Sequence, residues 1–243
     1  DSTGKLLAAS ASVDTVSINP SRIKKENKEI VAKALSDIFE LSYDEVLTKV
    51  NSEKSTEVII KKVEQDKIDK LKTWMEDNKA YSGINIDEDV KRYYPYSTLA
   101  SNLIGFCNTD NVGQEGLERY WDSVLAGTSG KMVTIENAAS DLIPDKNESY
   151  VPAENGSNIT LTIDANIQNI TEKYLEQACI ENGCGNGGIA IVMNPHTGDI
   201  LSMATYPNFD LNSPREPNSI LSTNWDELSD EEQLNSLFKM WRN

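Results

Sequence analysis

Residues 188–210, GIAIVMNPHTGDILSMATYPNFD, restrict the possible folds more than any other stretch of this chain. Ala190–Met193 and Ile200–Ala204 are short apolar runs, and Pro195, His196, Thr197, Gly198 and Asp199 between them have the composition of a tight bend. Apolar runs of this length, bounded by turn residues, read as the two arms of a β-hairpin in the interior of a sheet. A two-stranded hairpin is marginal on its own, and an unfilled sheet edge invites pairing with another chain. The hairpin therefore calls for sheet partners, yet only a short segment follows it before Asn243.

The preceding residues supply helices and strands in mixed order. Gly4 marks a turn, and Val16 and Ile18 alternate with polar neighbours in a strand closed by Pro20. Ile30, Val31, Ala34, Leu35 and Ile38 recur at three- and four-residue spacing, which predicts a helix over 23–39 with these side chains inward. Ser42-Tyr43-Asp44-Glu45 is a capping box opening a second helix. STEVIIKKV (55–63) reads as a strand, and residues 64–78 as a helix burying Ile68, Leu71, Trp74 and Met75. A strand-like polar stretch runs over 81–95. In GQEGLERYWDSVLAGTSG (113–130), Leu117, Tyr120, Trp121, Val124 and Leu125 form a full helical stripe, with Gly127 where a left-handed cap is expected.

Residues 137–158 turn loop-like, with two prolines and many Asn, Asp and Ser, and place a domain boundary near Gly156. ITLTID (159–164) reads as a short strand, with Asp164 as N-cap of a helix over 165–181 that buries Ile167, Ile170, Tyr174, Leu175 and Ala178. After the hairpin, Ser229-Asp230-Glu231-Glu232 is another capping box, starting a helix through Leu234, Leu237 and Trp241.

The 243 residues leave room for one large domain or two smaller ones. A net charge of −16 argues against a nucleic-acid or anionic-membrane surface, both of which need clustered Lys and Arg. No apolar run approaches the roughly 20 residues that cross a bilayer. Because the first residue is Asp1 rather than Met, we expect the chain to have been cut from a longer one in which a leader or anchor preceded it. The three cysteines, Cys107, Cys179 and Cys184, make no disulfide framework, although Cys179 and Cys184 can pair if Gly183 bends the chain back. With one histidine, His196, at the hairpin bend, no metal-ligand spacing exists and no cofactor motif is present.

Several motifs have plain structural readings. S-x-x-K, the pattern in which a lysine helps activate an acylated serine, occurs at Ser21–Lys24 and Ser236–Lys239. Ser21 follows a proline at a helix start and Ser236 falls in mid-helix, so capping and chance account for them. His196-Thr197-Gly198 lacks the cation of a Lys-Thr-Gly motif and reads as a turn. Gly127–Lys131 is too short for a phosphate loop and no Ser or Thr follows its lysine. Asn147, Asn155, Asn158 and Asn169 begin N-x-S/T triplets, which matter only in a secreted eukaryotic protein. Glu118 stands apart. It lies in a helix's first turn, beside Gly113 and Gly116, whose lack of side chains permits close backbone approach. Two readings stay open: a partly buried carboxylate clamping a distant arginine, Arg92, or an ordinary glutamate favoured by the helix dipole.

Taken in order, DSTGKLLA (1–8), RYYP (92–95), LIGF (103–106), GQEGLERYWDSVLAGTSG (113–130), LTIDANIQ (161–168) and AIVMNPHTGDILSMATYPNFDLN (190–212) resemble the class B penicillin-binding proteins, the monofunctional peptidoglycan transpeptidases of elongation, division and sporulation. The resemblance implies an α+β chain: an elongated pedestal, or dimerisation, domain over 1–155. It is followed over 156–243 by the first strand, helix and hairpin of an incomplete transpeptidase domain. It places the acylated serine downstream of Asn243, so that this chain holds no catalytic residue. It also implies a single-pass membrane anchor before Asp1 and an extracytoplasmic location. The implied partners are a lipid-II-polymerising glycosyltransferase and other wall-assembly proteins, and, for the full-length parent, stem peptides and β-lactams. A stand-alone, non-enzymatic scaffold of the wall-assembly machinery is the alternative. In either case residues 160–243 should lean on the pedestal or pair between molecules.

Overall fold

The computed structural model describes residues 1–79, 82–128, 130–133, 149–185 and 187–242. Tyr81, Ser129 of the glycine-flanked 127–131 motif, and residues 137–148 of the loop-like stretch, with Asn147, lie outside the described residues. The chain divides into two compact units, residues 10–92 and residues 1–9 with 93–243.

In the first unit the elements are β1 (Ala9–Ile18), α1 (Lys28–Phe39) after a 3-10 turn, α2 (Tyr43–Val50), β2 (Glu57–Val63), α3 (Gln65–Asn78) and β3 (Ile84–Tyr93). The sheet order is β2-β1-β3. β1 and β2 run antiparallel, with Ser17 opposite Val58 and Ile18 opposite Glu57, and irregularities on either side of Val16. Across β1 and β3, Thr15 Oγ1 donates to Asp89 at 2.7 Å and Ser17 Oγ to Asp87 at 3.4 Å. One apolar cluster fills the unit, with Val16, Ile18, Leu35, Val46, Val50, Ile68 and Leu71 all essentially inaccessible. Each such aliphatic side chain contributes about 1.5–3 kcal/mol relative to its exposed state. In α3 the apolar stripe is the buried one, with Trp74 partly covered.

Two details of this unit differ from expectation. α1 starts at Lys28, not Ile23, and its inward face is Val31, Ala32, Leu35 and Phe39, which leaves Ile30 exposed. Ser42 does precede α2, but its side chain makes no capping bond. Asp44 and Glu45 in the first turn favour that helix end through the dipole.

The second unit holds α4 (Ser101–Ile104), α5 (Gly116–Tyr120), α6 (Asp122–Leu125), β4 (Lys131–Val133), β5 (Ser149–Val151), α7 (Ala165–Glu181), β6 (Gly188–Met193), β7 (Ile200–Tyr206) and α8 (Asp230–Trp241). β4 and β5 pair antiparallel, as do β6 and β7, the latter with Ala190 opposite Ala204 and Ile191 opposite Met203. Its core gathers Leu7, Tyr94, Leu99, Ile104, Phe106, Phe209, Leu211, Leu237, Met240 and Trp241. Phe106 meets Phe209 and Trp241 edge-on, at ring-centroid distances of 6.1 and 5.0 Å. The Ser229 capping box forms with both reciprocal bonds.

The stripe read in 113–130 is the largest departure. The segment breaks into two short helices at Trp121, and most of the stripe faces outward: Tyr120 is 77% exposed, Trp121 and Val124 are exposed too, and Leu117 and Leu125 are half-buried. Glu118 turns inward instead. Residues 159–164 form no ladder; Ile163 accepts from the Ser2 amide at 2.8 Å and the Asp164 amide donates to Leu201 at 2.9 Å, single bonds that leave no repeating pair. In α7, Ile170, Tyr174 and Ala178 point to solvent, because the inward face carries Ala165, Gln168 and Cys179. Leu234 of α8 is exposed as well. The hairpin is not in the interior of a sheet. Among the described residues β6 and β7 pair only with each other, and β6 presents Ile189, Ile191 and Met193, each more than half exposed.

Candidate functional site

The chemistry-bearing side chains of the second unit converge where α7 lies against β7. Asp164 caps α7 through its carboxylate, which accepts the Asn166 and Ile167 amides at 2.8 and 3.2 Å. One turn on, Gln168 is wholly buried. Its Oε1 accepts from Ser202 Oγ at 2.9 Å and from the Met203 amide at 2.7 Å, while Nε2 donates to the Met203 carbonyl at 2.9 Å and to Glu172 Oε1 at 2.7 Å. The side-chain amide thus binds one residue of β7 as a neighbouring strand would, through both its N–H and its C=O.

Glu172 carries the connection to the 93–106 segment. Its Oε1 also accepts the Ala100 amide at 2.7 Å, and Ala100 holds a left-handed backbone (φ 52°). Burial raises the Glu172 carboxyl above its ordinary value, against the opposing pull of the Gln168 amide and the Ala100 N–H. Asn102 accepts from Thr205 Oγ1 at 2.6 Å and donates to the Met240 carbonyl at 2.9 Å, and Ser101 Oγ accepts the Phe209 amide at 3.3 Å. One polar node therefore joins α4, α7, β7 and the end of α8. The first residues join α7 at its start: the Asp1 carboxylate accepts the Thr3, Lys5 and Ala165 amides, and Lys5 Nζ donates to Asn166 at 2.8 Å.

A second cluster surrounds Glu118, which is 4% exposed. Cys107 Sγ donates to Glu118 Oε2 at 3.5 Å, and the Cys107 amide donates to the Tyr94 phenol oxygen at 3.1 Å. Burial, with the Glu118 carboxylate adding to it, pushes the Tyr94 phenol far above its usual range. Gly113 and Gly116 make the close approaches here. A Cβ on Gly113 would overlap the Glu118 carbonyl, and one on Gly116, whose φ is 64°, would overlap the backbone of Gly105. Arg92 ends the other compact unit, where its Nη1 donates to Ser10 Oγ at 3.3 Å. On the outer side, Glu115 Oε1 accepts from Arg242 Nε and Nη2 at 2.8 and 2.7 Å, fastening the end of α8.

The remaining motifs have local roles. Ser21 bonds Asn19 in a turn, and Ser236 lies within α8. The His196 amide donates to Asn194 Oδ1 in the hairpin bend, and Gly198 there has φ 80°. Cys179 and Cys184 are free thiols rather than a disulfide. Two polar clefts of about 160 and 200 Å³ flank Glu172. Both fall short of the roughly 300 Å³ at which small-molecule sites begin. Among the described residues, no group of three or more metal-ligating side chains gathers, and no helix is long and apolar enough to cross a membrane. The sequence reading passed over Gln168, Glu172 and Asn102. Their only signal is a polar residue at each position a buried helix face should occupy.

The Penicillin-binding Protein dimerisation domain family matches residues 1–161. This chain belongs to that family. Among its relatives, stage V sporulation protein D of Bacillus subtilis is 32% identical over 213 residues, covering 86% of this chain. The peptidoglycan D,D-transpeptidase FtsI of Buchnera aphidicola (subsp. Schizaphis graminum) is 34% identical over 218 residues, covering 88%. The matches take in 32% and 37% of those relatives, so the chain spans about a third of their length. Solved penicillin-binding proteins share the fold. Penicillin-binding protein 2X of Streptococcus thermophilus gives a TM-score of 0.63 at 21% identity, over 88% of this chain and 34% of that one. A Helicobacter pylori complex of PBP2 with MreC gives 0.64 at 21% identity, over 95% of this chain and 44% of that one. The mixed α+β class expected from the sequence is therefore the class of the family.

Proposed function

We propose that this chain is the pedestal and opening portion of the catalytic domain of a peptidoglycan D,D-transpeptidase, with the domains meeting near residue 155. The whole protein would be anchored in the membrane by a segment before Asp1 and face the cell exterior. Its reaction is acyl transfer: a serine downstream of Asn243 attacks the D-Ala-D-Ala carbonyl of a stem peptide and expels the terminal D-Ala. An amine of a neighbouring strand then resolves the acyl-enzyme. β-Lactams acylate the same serine. In residues 1–243 the working role is structural, holding the catalytic domain away from the membrane and offering surfaces to a lipid-II-polymerising glycosyltransferase and other wall-assembly proteins. The FtsI relative, itself a peptidoglycan D,D-transpeptidase, and the PBP2 neighbour solved with MreC support this reading.

The observation that carries it is the hairpin. Gln168, braced by Glu172, fixes β7 to α7 through its bonds to Ser202 and Met203, while the other face of β6 exposes Ile189, Ile191 and Met193. A rigidly mounted two-stranded sheet with a bare apolar face suits a larger sheet's first arms. From the sequence pattern we also propose Arg92 as the cation that Glu118 clamps.

Labelling with a fluorescent penicillin tests the reading. The chain 1–243 should stay unlabelled, whereas the product of the complete gene should be labelled on a serine beyond residue 243. Labelling of Ser21 or Ser236, or an unreactive complete product, would overturn it.

A further inference from the structure

The end of α7 sets two cysteines against each other. The Cys184 amide donates to the Cys179 carbonyl at 2.9 Å, the Gly183 amide donates to Ile180 at 3.3 Å, and Gly183 has φ 62°. These two nested bonds around a left-handed glycine are the Schellman cap, which frequently brings the side chains at the third-last helical position and the second position past the cap into contact. Here both positions are cysteine. Cys179 is buried and Cys184 exposed. The buried sulfur also lies against the first residue of β6, where a Cβ on Gly188 would come within 2.7 Å of it. Burial, and then the neighbouring Cys184, raise the Cys179 thiol above its ordinary value.

We propose that Cys179 and Cys184 form a reversible disulfide that locks the turn from α7 into β6. The oxidant is a small-molecule disulfide or a disulfide-bearing oxidoreductase. The exposed Cys184, as thiolate, attacks one sulfur of that disulfide, whose S–S bond breaks and releases a thiol. Cys179 then loses its proton and attacks the Cys184 sulfur of the mixed disulfide, expelling the second thiol. Two protein thiols are oxidised by two electrons, and the external disulfide is reduced to two thiols. Oxidation of this kind belongs to an extracytoplasmic compartment, so its occurrence in the cell follows the location proposed above. Formation in the purified chain tests the geometry alone.

The experiment treats the folded chain with oxidised glutathione, blocks remaining thiols under denaturing conditions, and maps peptides by mass spectrometry after cleavage at Glu181. The expected product keeps the two halves joined, lighter by two hydrogens, with Cys107 alkylated. Cys107→Ser leaves it unchanged, Cys184→Ser abolishes it, and the oxidised chain melts a few degrees higher. A stable glutathione adduct on Cys184 with Cys179 still alkylatable, or Cys184–Cys184 dimers alone, would overturn the proposal.

Discussion

Each compact unit has its own apolar core, but α3 in one and α7 in the other are seated by different physics. Residues 10–92 close over one apolar cluster, in which α3 buries the same Ile68, Leu71 and Met75 that its periodicity marks. In the other unit α7 does the reverse. Its apolar Ile170 and Tyr174 face solvent, and the wholly buried side chain is Gln168. Apolar burial is non-directional and tolerates small shifts, whereas a buried amide needs every bond made. The first unit gains its stability from packed area. The second sets the position of its hairpin by hydrogen bonds and leaves apolar surface uncovered.

Substitutions can break this contrast. The largest effects should come from the two centres. Leu71→Ala should cost about 3 kcal/mol through the cavity it leaves, and Gln168→Met a similar amount, about 3 kcal/mol, by orphaning the Met203 amide and carbonyl. Hydrogen exchange should localise the first loss to residues 10–92 and the second to α7 and β7. A neutral Gln168→Met would remove the polar node from the account. Glu118→Ala should lower the melting temperature by several degrees, and a change within error would leave that carboxylate without a structural role. A double-mutant cycle with Arg92→Ala then measures the clamp, and additive losses would exclude it.

Glu172 gives a pH signature. Its folded carboxyl is raised above the ordinary 4.5, so the native state holds the proton more tightly than the unfolded one. Its contribution is therefore fully present below the unfolded value and is lost as pH rises through the raised folded value. Glu172→Gln, which keeps an acceptor for the Ala100 amide, should flatten that part of the stability profile, as urea melts along a pH series will show. Parallel profiles for the two proteins would contradict the burial assigned to this group. The smallest effects belong to the outward apolar residues: Tyr120→Ser and Ile170→Ser should each change stability by less than about 0.5 kcal/mol.

Sequence pattern located the elements better than their faces. Asp164 and Ser229 announce α7 and α8 because a cap needs only local residues, and Pro195 to Asp199 announce the hairpin bend for the same reason. The stripe of Leu117 to Leu125 misleads because helical spacing records which side chains could be buried together, not what covers them. Glycines at 105, 113 and 116 draw Glu118 inward and turn Tyr120 out. Gln168 was illegible for a related reason. Its partners, Ser202 and Met203, lie more than thirty residues away, and no local rule pairs them.

The most direct test is hydrogen exchange of residues 188–206 in this chain and in the product of the complete gene. If the hairpin is the opening of a larger sheet, its amides should exchange at least about tenfold more slowly in the complete product, where further strands cover Ile189 and Ile191. Equal protection in the two would show that the hairpin is already finished, and would contradict the account.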